Sequence, residues 1–71
     1  MATGEVKWFD VRKGFGFIRP DAGPRDVFVH ASAVARSPFD VLETGQRIEF
    51  ELTQTADGRL LALGLREIET Q

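Results

Sequence analysis

Two apolar stretches, residues 13–18 and residues 27–30, constrain the fold of this chain more than any other feature. Read with the period of two of a β-strand, each stretch has rings on one side and aliphatic side chains or glycine on the other. The ring side holds Phe15, Phe17, Phe28 and His30, and the opposite side holds Gly16, Ile18, Val27 and Val29. If the stretches are neighbouring antiparallel strands, four rings lie together on one surface of a sheet.

The ring side of these two strands is predicted to point to solvent. The aliphatic side has no polar atom to satisfy and suits a dry core, whereas burial of His30 would require partners for its ring nitrogens. An exposed aromatic patch on a small protein usually marks a binding surface. On pattern alone, the alternative is that the rings form the core or a dimer interface.

Alternation along the rest of the chain predicts five strands and a closed all-β fold. The strands are residues 5–10, one ending near Pro20, one beginning near Asp26, residues 46–54 and residues 60–67. Five short strands with one core-facing side each are unstable as an open sheet, so closure into a barrel is expected. The predicted core is Val6, Ile18, Val27, Val29, Ile48, Phe50, Leu52, Leu63 and Leu65.

Three local features refine this prediction. Strict alternation would put Val6 and Trp8 on the same side of the first strand, so a bulge is expected between them. Residues 31–34 lose the period of two and are expected to make one helical turn. In the fifth strand Leu61 is expected to point inward together with Leu63 and Leu65.

Residues 4–9, 13–18 and 26–30, followed by Ser32 and Ala33, together resemble the bacterial cold-shock proteins. The second and third segments match that family's ribonucleoprotein motifs 1 and 2, and similarity runs from about Gly4 to Arg66. The resemblance implies an antiparallel five-stranded Greek-key barrel of the oligonucleotide-binding type (OB-fold, cold-shock domain). A single domain over residues 1–71 is expected, with no internal repeat or linker.

The resemblance also implies a function, which is to bind single-stranded RNA and DNA on the face of strands 1 to 3 as an RNA chaperone or regulator of transcription or translation. The nucleic-acid-binding residues predicted are Lys7, Trp8, Asp10, Lys13, Phe15, Phe17, Asp26, Phe28, His30, Phe39 and Arg59. Bases are expected to stack on the rings while the basic side chains follow the phosphates. Asp10 stands where the family usually has asparagine, and Ala31 where many members have an aromatic residue.

Several of these residues have a plain structural alternative. A lone tryptophan such as Trp8 is often a core anchor, and Lys13 is equally well read as a solvated turn lysine. Phe39, in a loop, either extends the binding surface or plugs the end of the barrel. His30 stacks or makes a hydrogen bond in the binding hypothesis and has a structural role in the alternative.

The charge distribution permits a nucleic-acid partner although the net charge is −2. Residues 1–39 carry six basic and four acidic side chains, whereas residues 40–71 carry three basic and seven acidic ones. The half with most of the rings is therefore the positive half. Acidic charge elsewhere weakens long-range attraction and leaves short-range contacts at the rings possible.

Other function classes have little support in the sequence. There is no cysteine and only one histidine, so no metal set is expected, and no nucleophile-base pair or carboxylate pair indicates an enzyme. We expect no cofactor, no membrane span and a soluble, cytoplasmic monomer. The remaining alternative is a module that binds a protein or an oligosaccharide through the same barrel face, which the acidic pI of about 5.2 favours.

Overall fold

The alternating segments form five strands, and the predicted helical turn forms one short helix. A computed structural model of the chain describes residues 1–68. The elements are β1 (Ala2–Asp10), β2 (Phe15–Pro20), β3 (Val27–His30), α1 (Ala31–Ala35), β4 (Arg47–Gln54) and β5 (Leu60–Arg66). The last three residues of the predicted domain, 69–71, lie outside the described residues.

The strands close into a barrel in the order β1-β2-β3-β5-β4. Consecutive hairpins join β1, β2 and β3, and β4 returns to pair with β1, which is the Greek-key arrangement. Every pairing is antiparallel except that of β3 with β5, where Phe28 lies opposite Leu61 in a parallel bridge. The predicted five-stranded barrel is confirmed, with this one parallel contact added.

The first strand begins earlier than the sequence indicated. Ala2, Thr3 and Gly4 extend β1 by pairing with β4, opposite Phe50, Glu49 and Ile48. These three residues show no apolar alternation, so only the partner strand defines them as part of β1. β1 thus pairs with both β2 and β4, which joins the sheet of β1, β2 and β3 to the rest of the barrel.

The core confirms most of the predicted inward side chains. Val6, Ile18, Val27, Val29, Ile48, Phe50 and Leu65 are buried. Burial that the strand pattern missed comes from α1 and from the loop after it, where Ala33, Val34 and Leu42 pack against the barrel, and from Ala62 in β5. Tertiary placement of the chain at the barrel end, rather than any local period, buries the first three.

Two leucines predicted for the core are exposed instead. Leu52 is 47% exposed because the pairing of β1 with β4 ends at Phe50, so Leu52 lies beyond the covered part of β4. Leu63 is 44% exposed because the register between β4 and β5 shifts next to it, where Gly64 adopts a φ of +56°. An extra residue at such a bulge changes which side chains point inward, and Ala62 and Leu65 are buried in place of Leu63. Leu61, also predicted inward, is only half-buried.

Candidate nucleic-acid interface

A bulge in β1 turns the ring of Trp8 to the outer surface of the sheet and the ring of Phe9 toward the core. The register with β2 passes from Val6 opposite Ile18 to Trp8 opposite Phe17, with an irregularity between them. Val6 is therefore buried, Trp8 is exposed, and Phe9 turns back to pack against the core. The predicted bulge is confirmed, and it explains how one strand serves the core and the outer surface at once.

Five rings meet on the outer surface of β1, β2 and β3, and we name this surface the aromatic face: Trp8, Phe15, Phe17, Phe28 and His30. The strand register makes Phe17 the neighbour of both Trp8 and Phe28, and puts Phe15 opposite His30. The rings are half-buried or exposed, whereas Ile18, Val27 and Val29 behind them are fully buried. The predicted assignment of inside and outside is confirmed.

The rings of the aromatic face pack against one another in two orientations. Phe15 and Phe28 are stacked, with centroids 5.5 Å apart and planes 21° apart. Trp8 meets Phe15 and Phe17 edge-on, at 5.5 Å and 5.4 Å. Mutual contacts of this kind restrict each ring, so little side-chain order has to be gained when a base stacks on them.

His30 is held in a fixed orientation at the end of β3, where it caps α1. Its Nδ1 accepts a hydrogen bond from the backbone N–H of Ser32 at 3.0 Å, and the Ser32 hydroxyl lies 2.9 Å from the same nitrogen. Because Nδ1 is the acceptor, the neutral ring carries its proton on Nε2 and can donate there. His30 thus adds a hydrogen-bond donor to the edge of the aromatic face.

Charged side chains beside the rings are already engaged in local contacts. Lys7 Nζ forms an ion pair with Asp26 Oδ2 at 2.9 Å. The Asp10 carboxylate accepts the backbone N–H groups of Arg12 at 2.9 Å and Lys13 at 3.1 Å, closing the turn between β1 and β2. The exposed Lys13 side chain makes no hydrogen bond or ion pair with the described residues. Of these groups, Lys13 can therefore reach a phosphate without breaking a contact.

The structure places Arg59 at the margin of the aromatic face and Phe39 outside its ring contacts. Phe39 is half-buried and packs against the core, and it makes no ring contact with the other aromatics. The packing of Phe39 against the core agrees with the plug alternative, and its contribution to the binding surface stays a prediction. Arg59 follows the turn between β4 and β5 and lines a cleft with Phe17 and Phe28.

One side chain at this surface was missed by the sequence analysis. Arg25 lines the same cleft and donates from Nη2 to the carbonyl oxygen of Gly58 at 2.6 Å. A basic residue directly before the third strand was the available signal. Its partner lies 33 residues away along the chain, so the contact itself could not be read from sequence.

Comparison with known proteins agrees with this geometry. Residues 2–66 match the family model described as "'Cold-shock' DNA-binding domain". The chain belongs to the cold-shock domain family. The proteins of this family are nucleic-acid-binding and carry out no catalysis, so this cold-shock domain is a nucleic-acid-binding protein and not an enzyme.

Curated relatives of this cold-shock domain are close in sequence. It is 59% identical over 54 residues to "Probable cold shock protein y4cH" of Sinorhizobium fredii, covering 76% of this chain and 78% of the relative. It is 56% identical over 55 residues to "Cold shock-like protein CspE" of Escherichia coli, covering 78% and 80%. The likeness to "Cold shock-like protein CspA" of Stigmatella aurantiaca is 52% over 68 residues, covering 96% and 98%.

A solved structure supports the fold. The chain superposes on "drosophila Unr CSD456" with a TM-score of 0.75 and 20% sequence identity, over 96% of this chain. It spans only 26% of that longer chain. At this identity the likeness concerns the barrel alone, and it agrees with an OB-fold.

Among residues 1–68, no helix is long and apolar enough to cross a membrane. Within the same part of the chain, no three or more His, Asp or Glu side chains cluster in a way that could hold a metal ion.

Proposed function

We propose that this cold-shock domain binds single-stranded RNA and DNA on the aromatic face, with bases stacked on the rings and Lys7 and Lys13 near the phosphates. The observation that carries the proposal is the position of five rings on the outer surface of a barrel whose core is complete without them. Every base has a π-face, so such a surface binds unpaired strands with little sequence preference. Paired bases are already stacked and cannot use it.

The local contacts of the charged residues support binding of moderate strength. Lys7 must share its charge between Asp26 and a phosphate, and the Asp10 carboxylate lies in the turn beside Lys13. The remaining attraction comes mainly from stacking, which contributes roughly 1–3 kcal/mol per base. A domain that binds unpaired strands with moderate affinity keeps them single-stranded and still releases them. These properties suit an RNA chaperone or a regulator of transcription or translation that acts as a cytoplasmic monomer.

Fluorescence of Trp8, the only tryptophan, tests the proposal. We expect a pyrimidine-rich single strand of about six to eight nucleotides to quench Trp8, because the indole stacks on a base. A duplex of the same sequence is the matched control and should quench far less. Equal quenching by the duplex, or none by any single strand, would refute the proposal.

A protein or oligosaccharide partner on the same face remains the second candidate, which the acidic pI of about 5.2 favours. The dependence of affinity on salt separates the two. With about three phosphates neutralised, log K should fall against log salt with a slope near −2. Affinity for the oligonucleotide that did not change with salt would instead support the second candidate.

A further inference from the structure

The closure between β3 and β5 is narrow and leaves a cleft beside the aromatic face. Phe28 and Leu61 form the single residue pair between these two strands. The cleft has a volume of about 350 Å³. Beyond the end of the pairing, the Nη2 of Arg25 reaches the carbonyl oxygen of Gly58 at 2.6 Å and ties the loop before β3 to the turn before β5. This bond connects the two walls of the cleft.

The lining of the cleft combines an apolar floor with charges of both signs. Its residues are Phe17, Arg25, Asp26, Phe28, Arg59 and Leu60. Phe17 and Phe28 belong to the aromatic face, so a base stacked on them lies beside the charged groups of the cleft. The two guanidinium groups can only donate hydrogen bonds and the carboxylate can only accept them.

Each polar group of the cleft retains hydrogen-bonding capacity for a ligand. The guanidinium of Arg25 has five N–H donors and uses one on Gly58. The ion pair with Lys7 uses one lone pair of Asp26 Oδ2, so Oδ1 and the remaining lone pair of Oδ2 can still accept hydrogen bonds. The side chain of Arg59 makes no hydrogen bond or ion pair with residues 1–68, so all its donors are available.

Extending the proposed function, on which this inference rests, we propose that the cleft selects guanine among the bases of a bound single strand. Guanine has two adjacent acceptors, O6 and N7, and two adjacent donors, N1–H and the 2-amino group. The first pair matches the fork of an arginine, which is the commonest specific contact to guanine, and the second pair matches a carboxylate. Cytosine, uracil and adenine have no such combination of paired donors and paired acceptors.

Matched oligonucleotides test the preference without changing the protein. Uridine strands of about six nucleotides are compared, with one central position held as guanine, adenine or uracil, and Trp8 quenching gives each Kd. We expect the guanine strand to bind at least about fivefold more tightly than the other two, the lower end of what one bidentate pair discriminates. Replacement of that guanine by 7-deazaguanine, which lacks N7, or by hypoxanthine, which lacks the 2-amino group, should remove about threefold or more of this advantage.

A charge-preserving variant assigns the preference to the cleft. The double variant Arg25→Lys with Arg59→Lys keeps both positive charges and removes both guanidinium forks of the cleft, so the ratio of adenine-strand to guanine-strand Kd should fall to within about twofold of one. Arg36→Lys is the matched control, because Arg36 is exposed at the end of α1 and does not line the cleft. It should leave the ratio unchanged. Far-UV circular dichroism shows that each variant is folded.

The outcomes separate this inference from the function on which it rests. Quenching by the uridine strand without a guanine preference overturns the guanine site and leaves single-strand binding intact. A full guanine preference in the folded double variant also overturns the site. Quenching by none of the strands overturns both.

Discussion

Adjacent residues of β3 serve opposite purposes. Phe28 lies half-exposed on the aromatic face, between Phe15 and Phe17, whereas the side chain of Val29 is fully buried in the barrel. The aliphatic side needs no polar partner and the ring side includes His30, so solvation alone decides which side turns inward. Binding and stability are thereby carried by neighbouring positions of one strand.

Substitution of these two residues should separate binding from stability. Phe28→Ala should lose about tenfold or more in single-strand affinity, since one stacking partner is removed, with a modest loss of stability. Val29→Ala leaves a cavity and should lower the free energy of unfolding by about 1–3 kcal/mol with little effect on affinity. Urea unfolding and Trp8 titration measure both quantities. An unfolded Phe28→Ala beside an unaffected Val29→Ala would reverse the assignment of inside and outside.

Gly16 shows how the surface depends on a residue with no side chain. A Cβ at this position would overlap the carbonyl oxygen of Trp8 and the Cα of Phe9. The bulged part of β1 crosses directly over Gly16, so only glycine lets the strand approach closely enough to bring Trp8 beside Phe15 and Phe17. Gly16 is buried on the opposite side of β2 and supports the aromatic face from there.

The turn between β1 and β2 is closed by hydrogen bonds to a charged side chain, the carboxylate of Asp10. Asp10 Oδ1 accepts the N–H groups of Arg12 and Lys13, and its backbone carbonyl accepts the N–H of Gly14 at 2.8 Å. An asparagine oxygen can accept the same bonds without a negative charge. The turn therefore needs an acceptor at position 10, and the charge is additional.

Two substitutions at position 10 distinguish the acceptor from the charge. Asp10→Asn should keep the thermal midpoint and raise single-strand affinity by about two- to fivefold, because repulsion of the phosphates beside Lys13 is removed. Asp10→Ala removes the acceptor as well and should lower the midpoint by about 4 °C or more. Thermal melts and Trp8 titrations at one salt concentration compare them. Weaker binding by Asp10→Asn would mean that the carboxylate itself contacts the nucleic acid.

Elements with uninterrupted alternation were predictable, and elements with irregular backbone were not. The pattern in β2 and β3 predicted that Ile18, Val27 and Val29 point inward, and the bulge in β1 followed from the conflict between Val6 and Trp8. In β5 the alternation of leucines wrongly predicted that Leu63 points inward, because the register with β4 shifts beside Gly64 and leaves Leu63 exposed. A glycine within a strand was the only signal of that shift. The contact of Arg25 with Gly58 depends on two loops meeting in space and has no local signature.

In the barrel as a whole, a cluster of polar contacts at the Asp21 carboxylate connects β1, β4 and the β2–β3 loop. Arg47 on β4 binds Asp21 in the β2–β3 loop through two hydrogen bonds of 2.8 Å and 2.6 Å, and the Thr3 hydroxyl of β1 donates to the same carboxylate at 2.6 Å. Hydrogen bonding by Arg47, and then by Thr3, holds the pKa of Asp21 well below its usual range. Three separate parts of the chain are joined at this carboxylate.

This cluster predicts how stability depends on pH. Because the folded pKa of Asp21 is lowered, the unfolded chain takes up a proton first as the pH falls, so the stabilisation is complete above the ordinary carboxyl pKa and is lost on acidification. Asp21→Asn should lower the thermal midpoint near neutral pH, and the difference from the parent chain should shrink below about pH 4. The contacts are exposed, so the effect is small. Asp40→Asn, at an exposed loop position, is the control; a constant Asp21→Asn difference across this range would contradict the prediction.

Chemical-shift mapping with a 15N-labelled chain locates a bound single strand directly. On titration with a pyrimidine-rich oligonucleotide, we expect the largest shifts at the Trp8 indole N–H and at the backbone amides of Phe15, Phe17, Phe28 and His30. The amides of Glu49 and Glu51 on β4 should move little, because β4 pairs with neither β2 nor β3 and pairs with β1 only at residues 2–5, before Trp8. Saturable shifts confined to β4 and β5, with Trp8 unchanged, would contradict binding on the aromatic face.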